Sequence, residues 1–161
     1  VRLIQGNFQN TRVAPSTATQ FLNQYEVLSQ YRNDPLLPGG TGFSGTLFRN
    51  RATGELTLSF RSTEFIDDAV RDATATGRFE IKDLGWALGQ IAQMEAWYAE
   101  LRADPALLGG RNFYVTGYSL GGHLATAFNI LRREAFEQAG EPNPVIASYT
   151  FNGAGAGALP G

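Results

Sequence analysis

Hydrophobic residues recur at helical spacing in the first part of the chain and then change to simple alternation. Between residues 17 and 33 the apolar side chains fall on one helical face, and Asp34-Pro35 is expected to stop that helix. The apolar positions are Phe21, Leu22, Tyr25, Leu28 and Tyr31. Residues 43–49 and 56–60 instead alternate apolar with small or polar residues around a turn ending in Gly54, so they predict an antiparallel hairpin.

Helical and extended patterns alternate in the remainder of the chain. A short helix is expected within 66–75, and a longer one over 83–103 has apolar positions at helical spacing. Runs that favour strands at 113–116 and 145–151 enclose a further helix that ends near Gly140. A strand, a helix and a strand in this order form a βαβ unit, so the fold class is α/β, with a mostly parallel sheet that includes the antiparallel hairpin.

Composition limits the classes of function. The chain has 161 residues, of which 43% are hydrophobic, and this predicts a single domain over residues 1–161. A net charge of −2 gives no reason to expect a nucleic-acid partner.

Cysteine is absent, and the glycines at 153–157 lack the Lys and Ser/Thr of a phosphate loop, so no metal or other cofactor is predicted. No apolar run reaches the roughly 18 residues of a membrane span. The start at Val1 without Met suggests a piece of a longer protein.

The segment Gly117-Tyr118-Ser119-Leu120-Gly121 carries the clearest chemical signal. It joins a predicted strand to a predicted helix, which is the setting of a nucleophile elbow. A sharp turn there would hold the Ser119 hydroxyl exposed, and the helix N-terminus would favour negative charge beside it. Glycine on both sides would leave room for the neighbouring backbone. We therefore predict Ser119 as a catalytic nucleophile, with the backbone N–H of Leu120 as one donor of an oxyanion hole.

Three segments, in this order along the chain, resemble class 3 lipases. Residues 59–63 are similar to the family's Phe-Arg-Gly-Thr/Ser segment, 115–125 to its Gly-His-Ser-Leu-Gly-Gly elbow, and 149–155 to its Tyr-Thr-Phe-Gly strand end. The last is more similar still to a Thr-Phe-Asn-Gly-Ala-Gly variant in lipase-like modules of large secreted bacterial proteins. The resemblance implies a partial α/β-hydrolase fold of three layers, a lipid or acyl-ester substrate, and secretion as a localisation to consider.

The resemblance also assigns individual residues. Thr63 aligns with the family's second oxyanion residue, although Ser62 replaces the usual glycine and Tyr118 replaces the common histidine before the nucleophile. Residues 77–89 correspond to the position of a lid. Trp86 and Leu88 within that segment are interpreted as core residues in preference to lid residues.

The rest of a catalytic triad is not evident in the sequence. No aspartate follows Ser119, and the acids after it are Glu134, Glu137 and Glu141. His123 is the only histidine, and one helical turn below Ser119 it is interpreted as a packed residue and not as the base. We therefore expect the acid and base to lie beyond Gly161, and little esterase activity from these residues alone. The strand at 145–151 would then be a bare sheet edge, covered by a second copy in a homodimer or by a missing C-terminal segment.

Other interpretations stay open at this point. An acyltransferase or a peptidase could use the same elbow, and a non-catalytic binding or structural module could retain it. Asp67, Asp68, Asp72 and Asp83 raise the possibility of a calcium site, but their spacing is not that of an EF-hand loop and surface charge is the preferred interpretation. The pair Arg132-Arg133 is expected to lie on a solvated helix face.

Overall fold

A computed structural model describes residues 14–32, 41–61 and 87–153, which form one sheet with helices against it. Pro15 begins the first helix, a position where a missing N–H costs nothing. The elements in chain order are α1 (Pro15–Gln24), β1 (Tyr25–Arg32), β2 (Ser44–Asn50), β3 (Leu56–Arg61), α2 (Leu88–Ala103), β4 (Phe113–Tyr118), α3 (Leu120–Ala139) and β5 (Val145–Phe151).

The sheet has the strand order β1-β2-β3-β4-β5. Strand β2 is antiparallel to both β1 and β3, whereas β3, β4 and β5 are mutually parallel neighbours. Because β1 and β3 both oppose β2, every strand except β2 runs in one direction. The predictions of an α/β fold, a mostly parallel sheet and an antiparallel hairpin are confirmed.

Helices α2 and α3 cover one face of the sheet through a cluster of aromatic rings. The ring of Phe128 on α3 lies 4.9 Å from that of Tyr98 on α2 and 5.5 Å from that of Phe60 on β3, measured between ring centroids. On the opposite face, Phe21 of α1 meets Phe48 of β2 edge-on at 5.4 Å. The sheet therefore has helix on both sides, and the larger core, which contains Leu58, lies under α2 and α3.

The predicted helix over 17–33 is wrong in its second half. The helix ends at Gln24, and the next eight residues form β1, the strand at the end of the described sheet. A β-bulge lies between Val27 and Ser29 and shifts the alternation of faces by one residue. Leu28 and Tyr31 both pack against the core as a result, so a strand shows the three-residue spacing that predicts a helix.

Helix α2 agrees with the sequence pattern in part. Met94 and Leu101 are buried as expected. Leu88, interpreted as a core residue, is 52% exposed, so that interpretation is wrong; Gln90 is buried instead. The reason is that Leu88 occupies the first position of the helix, and the Gln90 side chain donates a hydrogen bond inward to the carbonyl oxygen of Thr41 at 2.9 Å. Three predictions fall outside the described residues: the short helix at 66–75, the beginning of the long helix at 83–86, and the core position of Trp86.

Arg132 does not lie on a solvated face, which corrects the expectation for that residue. Its side chain is 14% exposed, forms an ion pair with Glu95 of α2, and lies over the rings of Tyr98 and Phe128, 4.7 and 5.4 Å from their centroids. Arg133, one position on, is 63% exposed as expected. Burial raises the pKa of Glu95 above its ordinary 4.5, and the positive charge of Arg132 partly opposes that rise.

Removing the arginine charge should make stability more dependent on pH. In Arg132→Met the rise in the Glu95 pKa is unopposed, so the folded state favours the protonated acid and loses stability as pH rises through the folded pKa. The deficit in unfolding free energy relative to the unsubstituted chain should be small near pH 4 and reach about 1–3 kcal/mol at about pH 7. Urea denaturation at both pH values measures it.

Arg133→Met is the matched control, because it removes the same charge from the exposed side of the same helix. Its effect should be within about 0.5 kcal/mol at both pH values. Equal deficits for Arg132→Met at the two pH values would contradict the assigned role of Glu95.

Candidate active site

Ser119 connects the last residue of β4 to the first residue of α3. Its backbone dihedrals are φ 54° and ψ −123°, a conformation that residues other than glycine rarely adopt. The side chain is half-buried, so it is not enclosed by the core. The prediction of a strained strand-to-helix turn at the carboxyl end of the parallel strands is confirmed.

This geometry separates Ser119 from an ordinary helix-capping serine. A capping serine has an extended backbone, and its hydroxyl accepts a hydrogen bond from the first turn. Here the hydroxyl makes no capping hydrogen bond. The carbonyl oxygen of Ser119 accepts from the N–H groups of Gly122 and His123, at 2.9 and 3.1 Å, as the carbonyl of any N-cap residue does. Helix capping therefore does not explain the serine.

Three glycines allow the backbone to close around the turn. A Cβ on Gly117 would lie 1.9 Å from the carbonyl oxygen of Gly121, and a Cβ on Gly121 would lie 2.1 Å from that of Phe60 on β3. A Cβ on Gly122 would lie 2.9 Å from the Cα of Gly153. The obstructing atoms are backbone atoms, which cannot swing aside as a side chain does. The first turn of α3 thus lies directly against the ends of β3 and β5.

The sequence did not identify the contribution of the segment after β5. The N–H of Ser119 donates a hydrogen bond of 2.9 Å to the carbonyl oxygen of Phe151. Asn152 follows with φ 50°, and Gly153 then contacts Gly122. The pair Asn152-Gly153 is a turn signal that could have indicated the reversal, but its contact with the elbow depends on strand pairing.

Leu120 lies at the N-terminus of α3, directly after Ser119. It is the first residue of α3, and its N–H makes no hydrogen bond to any described residue. Unpaired N–H groups of a first helical turn, with the helix dipole behind them, favour an anion at that point. Thr63 lies outside the described residues, and β3 ends at Arg61, two residues before it.

His123 is buried beneath the elbow, as expected. It is 0% exposed, and its Nε2 atom accepts a hydrogen bond from the N–H of Ala87 at 3.4 Å. An imidazole held in this way faces the start of α2 and is not positioned to take a proton from Ser119. Glu134 and Glu137 lie along α3, and at 1.5 Å per residue Glu134 is about 22 Å from Ser119.

The expectations about metal, membrane and the sheet edge can be compared with the structure only within the ranges that it covers. No three acidic or histidine side chains there are grouped to hold a metal ion, and the four aspartates of the calcium hypothesis lie outside these ranges. No helix among the described elements is long and apolar enough to cross a membrane. Among the described strands, β5 pairs with β4 alone, and it exposes Ile146, Tyr149 and Phe151. That a homodimer or a missing C-terminal segment covers this edge stays a prediction.

Comparisons with known proteins add a distant structural likeness. No family model matches the chain, and no curated protein matches it. Among solved structures, the lipase from Rhizopus microsporus var. chinensis aligns with a TM-score of 0.42 and 17% sequence identity. The alignment covers 87% of this chain and 48% of that lipase, so the chain spans about half its length.

A methyl group added at the elbow should lower the free energy of unfolding far more than one added on an open loop. Gly121→Ala should lower the unfolding free energy by about 3 kcal/mol or more, because the new Cβ meets the backbone of β3. Gly110→Ala is the control, since nothing lies within 4 Å of a Cβ there. Chemical denaturation followed by circular dichroism compares the two. A loss for Gly121→Ala as small as that for Gly110→Ala would contradict the close approach.

Proposed function

We propose that the chain carries the nucleophile and part of the oxyanion hole of a serine carboxylic-ester hydrolase. The observation that supports this most directly is the conformation of Ser119, with positive φ and a hydroxyl that does not cap the helix. A strained, half-buried serine at a helix N-terminus costs stability, and such strain is concentrated at functional sites. The substrate we propose is an acyl ester, with fatty-acyl esters favoured by the resemblance to class 3 lipases.

The positions of Ser119 and Leu120 support the following reaction. The Oγ atom of Ser119 attacks the ester carbonyl carbon, and the carbonyl oxygen becomes an oxyanion held by the N–H of Leu120. Collapse of this intermediate breaks the bond to the alcohol, which leaves with a proton. Water then attacks the acyl-serine and releases the acid. We propose Thr63 as the second oxyanion donor, because it follows the end of β3, whose last residues approach Gly121.

The proton of Ser119 requires a base, and no residue within 14–32, 41–61 and 87–153 supplies one in suitable geometry. His123 is the single histidine, and its Nε2 is already occupied by the Ala87 N–H. A base must come within about 3 Å of the proton it accepts. We therefore propose that the acid and the base of the triad come from outside these 161 residues. The same observation favours one alternative, a non-catalytic binding module that retains the elbow.

Added imidazole can substitute for the missing base and so test the proposal. The chain of 161 residues should hydrolyse p-nitrophenyl butyrate slowly, and imidazole should raise its rate about tenfold or more above that of Ser119→Ala under the same conditions. Ser119→Ala corrects for hydrolysis by imidazole in solution. Ser148→Ala is a matched control on β5, because its hydroxyl is buried, has no partner among the described residues and is remote from the chemistry.

Two outcomes would contradict the proposal. Equal rates for the unsubstituted chain and Ser119→Ala, with and without imidazole, would remove the nucleophile and favour the binding module. Rapid turnover without imidazole that disappears in Ser119→Ala would retain the nucleophile but show that a base is already present.

A further inference from the structure

The chain reverses direction directly after β5, at a point where it touches the elbow twice. Tyr118 and Phe151 are the last paired residues of β4 and β5. One position beyond Tyr118, the N–H of Ser119 donates to the carbonyl oxygen of Phe151 at 2.9 Å. The strand pairing therefore extends by one hydrogen bond into the elbow, and this bond fixes the direction of the Ser119 peptide.

The second contact depends on a residue with an uncommon backbone conformation. Asn152 has φ 50°, and it shares a positive φ with Ser119 alone among the described residues other than glycine. After this residue Gly153 lies across the first turn of α3. A Cβ on Gly153 would be 3.0 Å from the carbonyl carbon of Gly122 and 3.3 Å from the nitrogen of His123. Contact this close joins the segment to α3 through backbone alone.

The residue type at position 152 suits this conformation. Asparagine tolerates a positive φ better than most residues, and glycine adopts it without steric cost. A β-branched residue at Asn152 would be strained, and relief of the strain would rotate the chain out of contact with Gly122. The carbonyl of Phe151 belongs to the peptide bond that leads into Asn152, so the same rotation would move the acceptor of the Ser119 N–H.

We propose that residues 151–153 form a positioning clamp for the nucleophile, and that Asn152 is its key positioning residue. By holding the peptide of Ser119 and the first turn of α3 together, the clamp fixes the relative positions of the Ser119 hydroxyl and the Leu120 N–H. The catalytic consequence rests on the proposed ester hydrolysis, whereas the clamp itself is a property of the backbone. Attack on the ester and stabilisation of the oxyanion need the Ser119 hydroxyl and the Leu120 N–H in fixed relative positions. The clamp therefore acts on kcat and not on KM.

The test compares a β-branched residue at a positive φ beside the first turn of α3 with one at the C-terminal end of that helix. Asn152→Val places a β-branched residue at φ 50°, and Gly140→Val does so at φ 67° at the far end of the helix, where a Cβ has open space. Hydrogen exchange of the Ser119 amide, followed by NMR, reads the clamp directly. We expect the exchange protection of this amide to fall about tenfold or more in Asn152→Val and to stay unchanged in Gly140→Val.

Activity provides the second measurement. The imidazole-assisted kcat should fall about tenfold in Asn152→Val with KM unchanged, and Asn152→Gly should restore both kcat and the exchange protection. Asn152→Ala serves as a milder variant with an intermediate effect. Gly140→Val should retain the kcat of the unsubstituted chain.

The outcomes separate the clamp from the proposed function. If the Ser119 amide loses exchange protection in Asn152→Val and regains it in Asn152→Gly, the clamp is supported, whether or not any variant hydrolyses an ester. Absence of ester hydrolysis in all variants would count against the proposed function alone. Equal effects of Asn152→Val and Gly140→Val on the Ser119 amide would overturn the clamp. So would a Ser119 amide that is unprotected in the unsubstituted chain, or failure of all Asn152 variants to fold.

Discussion

The absence of Cβ atoms around Ser119 is the constraint on which the rest of the structure depends. Gly117, Gly121 and Gly122 let the first turn of α3 lie against the ends of three parallel strands, at separations that any side chain would prevent. Close approach forces the chain to turn sharply, and the sharp turn gives Ser119 its positive φ. The strain is thus maintained by packing and not by the serine itself, which is how an unfavourable conformation persists in a folded protein.

The aromatic core supplies the force that holds this arrangement together. Rings from β3, β4, α2 and α3 meet under the elbow helix, with Phe128 in contact with Phe60, Phe113 and Tyr98. Each such side chain buries a large apolar area, and ring pairs add specific geometry. Arg132 closes the same interface by stacking over two of these rings while it pairs with Glu95. Helix α3 is therefore anchored along its length, which lets its first turn tolerate strain.

The hairpin, the βαβ unit and the elbow could be predicted because their signals are local. Alternation over 56–60 and the glycines around Ser119 each specify conformation within a few residues. Strand β1 could not be predicted, because its bulge gives Leu28 and Tyr31 a helical spacing. Only pairing with β2 distinguishes a strand from a helix here. The burial of Arg132 and the bond from Ser119 to Phe151 likewise arise from contacts between elements remote in sequence.

The predicted roles divide in the same way. Ser119 and Leu120 lie together at the end of β4, whereas Thr63 is outside the described residues. The catalytic roles of all three residues stay predictions. His123 was identified correctly as a packed residue because one helical turn places it below the nucleophile and not in front of it. A nucleophilic serine with a strained backbone, and with no base placed to activate it among the described residues, is the central proposal.

Covalent labelling of the folded chain tests that claim most directly. The chain would be treated with a fluorophosphonate in the presence of imidazole, and the adduct located by peptide mass spectrometry. We expect a single adduct on Ser119 that forms slowly without imidazole and is absent from Ser119→Ala. No adduct on the folded chain, or an adduct that persists in Ser119→Ala, would contradict it.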